Sequence, residues 1–137
     1  MKKLIALVLV LVTLLSLAAC GSSLDVDDIV KNLEDEGYDV EVMDDKDEIK
    51  EEVDMEEMEE EMGVSVSLPI ALIEAEDGDY AIAIIVFEDA DDAEEFYDAY
   101  VDMAKAWGAD VDEMGIGIED NCVYMGDEEA AEIAFGK

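Results

Sequence analysis

Histidine and arginine are absent from this sequence, proline occurs once and cysteine only twice. Each absence closes a class of function. Without histidine there is no Ser–His or Cys–His nucleophile pair and no imidazole ligand for a metal. Without arginine no guanidinium fork clamps a phosphate or carboxylate bidentately, and no glycine-rich phosphate loop takes its place. Cations are scarce too: seven lysines stand against 41 carboxylates, a formal net charge of −34. Such a surface repels nucleic acid and anionic headgroups, so neither is expected as a partner. It attracts metal cations, polyamines, basic peptides or a basic protein face.

Carboxylate pairs are able to serve as acid and base, as in glycosidases. Among 41 carboxylates, however, any pairing is uninformative, and the chain is small for a saccharide cleft. A small hydrolase is therefore the least supported reading, and the expectation is a non-enzymatic protein with no cofactor. High net charge often accompanies disorder, but 52% of the residues are hydrophobic and several segments are dense in Ile, Val, Phe and Tyr, so a folded domain with an acidic shell is expected.

Lys2 and Lys3 precede a run of about sixteen mostly apolar residues, the pattern of a secretory signal peptide and short for a membrane span. The run ends at Leu17-Ala18-Ala19-Cys20, directly before Gly21-Ser22-Ser23. These four residues resemble the lipobox of bacterial lipoproteins; the alternative is an uncleaved N-terminal anchor helix. The resemblance implies that the Cys20 sulfur receives a diacylglyceryl group, that residues 1–19 are removed, and that the new amine is acylated. Two or more acyl chains make a stable anchor where one is marginal. Localisation would then be the cell membrane, on its extracytoplasmic face, with the membrane engaged through the lipid on Cys20. Residues 20–23 become a lipidated cysteine and a tether of about ten ångströms. Residues 24–137 become one acidic domain, a length that suits one core and not two. With Cys20 lipidated, Cys122 has no intramolecular partner. In an apolar strand, without a nearby base, it reads as an inert small hydrophobe.

Along the domain, Leu24, Val26, Ile29, Val30 and Leu33 recur at helical spacing, and Gly37 marks the stop. Tyr38, Val40 and Val42 alternate with acids as a half-buried strand. Residues 44–62 are harder to read. Asp44 to Asp47 favour a helix start, and eight of the eleven residues from Glu51 to Glu61 are acidic. Ile49 and Val53 share one face while Met55, Met58 and Met62 share another, so the helix is expected to kink near Asp54 or to dock weakly. Val64, Val66 and Leu68 alternate with serines and predict a strand that continues past Pro69 to Ala75, with Pro69 at an edge or bulge. Asp77-Gly78 reads as a hairpin turn. The strand from Tyr80 to Phe87, apolar on both faces, is expected at the centre of a sheet. Asp89 caps a helix carrying Ala93, Phe96, Tyr97, Tyr100, Val101, Ala104 and Trp107, closed by Gly108. Two short strands flank Glu119-Asp120, and Asp127 caps a last helix. The order predicts an α+β domain with helices packed on one face of a small, mainly antiparallel sheet.

Three candidate constellations remain. Asp-x-Asp occurs at Asp25/Asp27, Asp45/Asp47, Asp77/Asp79, Asp89/Asp91 and Asp110/Asp112, and carboxylates suit Ca²⁺. None continues into an EF-hand loop, which needs further ligands and a glycine at fixed offsets. Met55, Met58 and Met62 form a stripe similar to the methionine motifs of bacterial copper-handling proteins, where thioethers hold Cu(I); the competing reading is a helix face that packs on the sheet. Cys122 and Met125, three apart on a strand, point to opposite faces. The acidic run 51–61 with its methionines also suits an adaptable surface for a basic partner. Tyr97, Tyr100 and Trp107 are expected in the core.

Overall fold

A computed structural model describes residues 24–63 and 65–137. The signal peptide, Cys20 and the tether read from the sequence lie outside the described residues. The elements are α1 (Val26–Asp35), β1 (Asp39–Met43), α2 (Lys46–Glu52), α3 (Met55–Met62), β2 (Ala71–Asp77), β3 (Tyr80–Val86), α4 (Ala90–Ala106), β4 (Ile116–Glu119), β5 (Cys122–Gly126) and α5 (Glu128–Ala134). The strands form one sheet in the order β1-β2-β3-β5-β4, every neighbouring pair antiparallel. This is an α+β fold with β3 at its centre, as the doubly apolar pattern of that strand requires. No helix among the described residues is long and apolar enough to cross a membrane.

Aspartate starts every one of these helices. Asp25, Asp45, Asp54, Asp89 and Asp127 are N-caps whose carboxylates accept from backbone N–H groups of the first turn. Each cap contributes about 1 kcal/mol, and further acids in each first turn favour the positive end of the helix dipole. Asp54 also explains the break between α2 and α3: the chain leaves helical geometry at Val53, and a new cap restarts it on a different face. Of the two sets of apolar residues that no single stripe accommodates, Ile49 belongs to α2, Val53 to its C-cap, and the three methionines to α3.

The placement of the helices differs from the one-face expectation. On β3, Ile82, Ile84 and Val86 point to one face, where Ile29 and Leu33 of α1 and Ala130, Ala131 and Ala134 of α5 cover them. Ile85 points the other way, and with Val123, Ile116 and Ile118 it meets Phe96 of α4 and the three methionines of α3. A strand that is apolar on both faces needs cover on both. Phe96 packs against Phe87 with ring centroids 5.3 Å apart, tying α4 to the end of β3.

Two further expectations are corrected. Described residues 65–69 form no strand, and β2 begins only at Ala71. This stretch is a strap whose polar groups bond to side chains of neighbouring helices. Glu59 accepts from Ser65 Oγ at 3.0 Å and from the Val66 N–H at 3.1 Å, and Ser67 Oγ donates to Asp92 at 2.8 Å. Ladder pairing resumes only beyond Pro69, which has no N–H to offer, where the Ile70 N–H donates to the Val86 carbonyl at 2.8 Å. Trp107, expected in the core, is 70% exposed. It is the C-cap residue of α4, where the helix ends and its side chain leaves the sheet behind.

The domain's first described residue is tied to the sheet. Asn121, fully buried at the β4–β5 turn, accepts from the Leu24 N–H through Oδ1 and donates through Nδ2 to the Phe87 carbonyl at 2.9 Å. One amide side chain thus joins the start of α1 to the ends of β3 and β5.

Candidate binding face

β1 and β2 place acids at alternate positions, and their register sets those acids against one another. Asp39 lies directly opposite Glu76, and Glu41 directly opposite Glu74. All four side chains are exposed. They share the sheet face that α3 and α4 cover only at its β3-β5-β4 end. Like charges opposed on neighbouring strands oppose pairing by roughly 0.2–1 kcal/mol per pair. Neither of the two ion pairs among the described residues, Lys31–Asp35 and Lys137–Glu119, touches this face.

Between the carboxylates and the covered end, the sheet surface dips into a shallow concavity of about 540 Å³. Its lining includes the four acids, the small residues Ala81 and Ala83 of β3, and Met125 of β5. Met125 pairs with Ala83 across the β3–β5 ladder and also lines a second groove of about 410 Å³. That groove runs between α3 and α4. Met58, Met62, Met103 and Tyr100 line it, with Asp54, Glu57 and Glu61 also present. Met125 thus lines both concavities. The small Ala floor leaves depth, the thioethers offer flexible and polarizable apolar surface, and the acids supply negative field.

The methionines expected from sequence are half-buried, and all three pack on the layer formed by Val66, Phe87, Phe96 and Val123. Met58 and Met62 reach the groove, whereas Met55 lines a separate hollow near Lys50 and Leu68. Met103 and Met125 join them from distant parts of the chain. Four soft thioether donors thus line one groove. Among the described residues, no group of three or more carboxylate or cysteine side chains is arranged to hold a metal ion. The first acids of the Asp-x-Asp pairs are largely engaged elsewhere: Asp25, Asp45 and Asp110 each accept the backbone N–H two residues on, and Asp89 that of Asp92.

Cys122 faces the α1–α5 side and Met125 the other, as their spacing requires. The Cys122 thiol is fully buried, and burial, with the nearby charges of Asp120 and Glu119 adding to it, pushes its pKa from 9.0 to about 12. A thiol in that state supplies little thiolate near neutrality.

The opposed carboxylates and the roles of Asn121, Met103 and Met125 escape sequence reading. The i, i+2 acids Asp39/Glu41 and Glu74/Glu76 were the available signal, but only the pairing of β1 with β2 brings them together.

Comparison with protein-family models, curated proteins and solved structures finds no match to this chain.

Proposed function

We propose that this chain is a lipid-anchored cell-envelope lipoprotein, held on the extracytoplasmic face, whose acidic domain is a non-enzymatic binding module for a cationic ligand. The anchoring half rests on the Lys2-Lys3 start, the apolar run and the Leu17-Ala18-Ala19-Cys20 box. The observation that carries the binding half is the pair of opposed carboxylate rungs, Asp39–Glu76 and Glu41–Glu74, whose four side chains are exposed beside a concavity. Their mutual repulsion is relieved by a cation that touches both strands, so bound ligand and fold stabilise each other. The absence of histidine and the suppressed thiol of Cys122 support a binding role over a catalytic one.

Two measurements test the two halves. Cys20→Ser is expected to move the protein out of the detergent phase on phase separation; unchanged partitioning refutes the anchor. For binding, the full chain in non-ionic detergent is melted with spermine, with millimolar CaCl₂, or with NaCl at matched ionic strength, each against an EDTA control. The expected result is a midpoint raised by spermine beyond matched NaCl, with the excess lost in the Glu41→Gln/Glu74→Gln variant. A spermine effect equal to that of NaCl overturns the cation-binding reading. An excess with CaCl₂ alone moves the assignment to a divalent metal.

A further inference from the structure

We infer that the acidic concavity and the methionine groove form one continuous track for a basic amphipathic helix presented by a partner protein. The inference rests on the cation-binding reading above and adds the occupant and its second foothold.

Layering argues for a helix. The α1–α5 face of the sheet is covered by helices, and α3 and α4 cover one end of the opposite face. Toward β1 and β2, Asp39, Glu41, Glu74 and Glu76 on that face stay exposed, as does Ala81 of β3, while Ala83 of β3 and Leu72 of β2 are half-buried. Small residues on a sheet let a helix approach closely, and a helix laid there would cover the exposed part of this face. The distance from β1 to β5 is three inter-strand spacings, about 14 Å. Continuing into the α3–α4 groove adds roughly one helix spacing of 8–10 Å. About four helical turns span the whole.

Chemistry specifies which helix. One end of the track carries four carboxylates without a cation among the described residues, so that end of the partner presents lysine or arginine. The other end is lined by Met58, Met62, Met103 and Met125, which accept leucine- or phenylalanine-sized side chains of varied shape. Asp54, Glu57 and Glu61 add charge there, and apolar anchors amid acids are the pattern of helix-in-groove recognition. The groove wall is suited to adjustment, since α3 is two turns long and buries none of its residues fully; elements with few buried contacts lie at the low-stability end of a fold. The overall charge of the domain adds steering toward a basic partner.

The test is a titration of the full chain in non-ionic detergent micelles, with methionine methyl groups ¹³C-labelled so that the readout is local and insensitive to peptide taken up by micelles. The probe is a lysine–leucine amphipathic peptide of about sixteen residues, four turns, compared with a shuffled peptide of identical composition. At near-physiological salt the amphipathic peptide is expected to shift the methyl signals of Met58, Met62, Met103 and Met125 while leaving exposed Met114 unmoved. It is expected to bind at least tenfold more tightly than the shuffled peptide. Met125→Lys, at the junction, is expected to weaken binding tenfold or more, and Glu41→Gln/Glu74→Gln to do the same. The latter variant removes repulsion and is expected to stay folded, which its thermal melt checks. Equal binding of both peptides with silent methionine methyls overturns the track and leaves the cation-binding reading standing. Methionine shifts that persist unchanged in Glu41→Gln/Glu74→Gln also overturn it, because the two footholds are then not used together. No binding of either peptide overturns the track, and the spermine melt decides the cation-binding reading separately.

Discussion

Glu41 and Glu74 stand directly opposite one another on adjacent antiparallel strands, two residue pairs along the ladder from the equally opposed Asp39 and Glu76. A sheet optimised for stability alone would alternate the signs. Glu74→Gln is therefore expected to stabilise the free protein by about 0.2–1 kcal/mol at low ionic strength, and molar NaCl is expected to erase most of the gain. Urea midpoints at low and high salt check this, and a loss of stability in low salt would contradict it.

Asn121 is the buried polar link among α1, β3 and β5. Asn121→Ala leaves the Phe87 carbonyl and the Leu24 N–H without that partner, and the expected cost is about 1–3 kcal/mol. A shift of the urea midpoint with unchanged slope is the expected signature. Because the change also frees Leu24, amide exchange should rise first in the opening turn of α1.

Alkali should unfold the domain through two buried groups. The Cys122 thiol is raised from 9.0 to about 12, by burial first and by Asp120 and Glu119 next. The Tyr38 phenol is raised from its ordinary 10.0 by burial first, with Asp77, Asp127, Glu129 and Tyr80 adding to it. In both cases the folded protein holds its proton more tightly than the unfolded chain. The stabilisation is complete below the unfolded pKa and is lost as pH rises toward the folded one. For Cys122 that window runs from 9.0 to about 12, with a slope of about 1.4 kcal/mol per pH unit. Cys122→Ala should flatten the fall in stability between pH 9 and 10, leaving the Tyr38 contribution above it. An identical pH profile in the variant would contradict the assignment.

Close approaches make two glycines unequal to alanine and to each other. A Cβ on Gly117 would collide with the ring of its cross-strand partner Tyr124, and one on Gly126 with the Ala81 carbonyl and with Ile82 Cα at 2.8 Å. Tyr124 is able to yield, at the expense of its 5.4 Å packing on Phe135, so Gly117→Ala should cost about 1–3 kcal/mol. The obstacle at Gly126 is backbone, and its φ of 140° is one that L side chains rarely adopt. Gly126→Ala is expected to be the more damaging of the two in thermal melts.

Trp107 is the only tryptophan and is 70% exposed. Its emission should therefore change little between native and denatured protein, and acrylamide should quench it readily in both. Trp107→Ala is expected to alter stability by no more than about 0.5 kcal/mol, the usual range for surface positions. Strong protection from acrylamide in the native state would place it in an interface.

What this sequence determined by itself was local. Asp89 and Asp127 before apolar periodic runs located two helix starts, Asp77-Gly78 located the β2–β3 hairpin, and the clash of two stripes around Asp54 pointed to a kink or weak docking where the structure shows the break between α2 and α3. Caps, turns and alternation act within a few residues, so they are legible without a fold. The Val64–Leu68 alternation misled because Glu59 and Asp92, brought near by packing, satisfy groups that a ladder would otherwise claim. Trp107 misled because helical spacing gives a face and not its length of contact with the sheet. Only the tertiary structure decided that β1 returns to pair with β2, and so opposed four acids that sit 33 or more residues apart in sequence across the two strands. It also brought Met103 and Met125 to the Met58–Met62 stripe. Contacts of that range depend on which apolar faces are covered first, and the pattern along one strand carries no record of its neighbour.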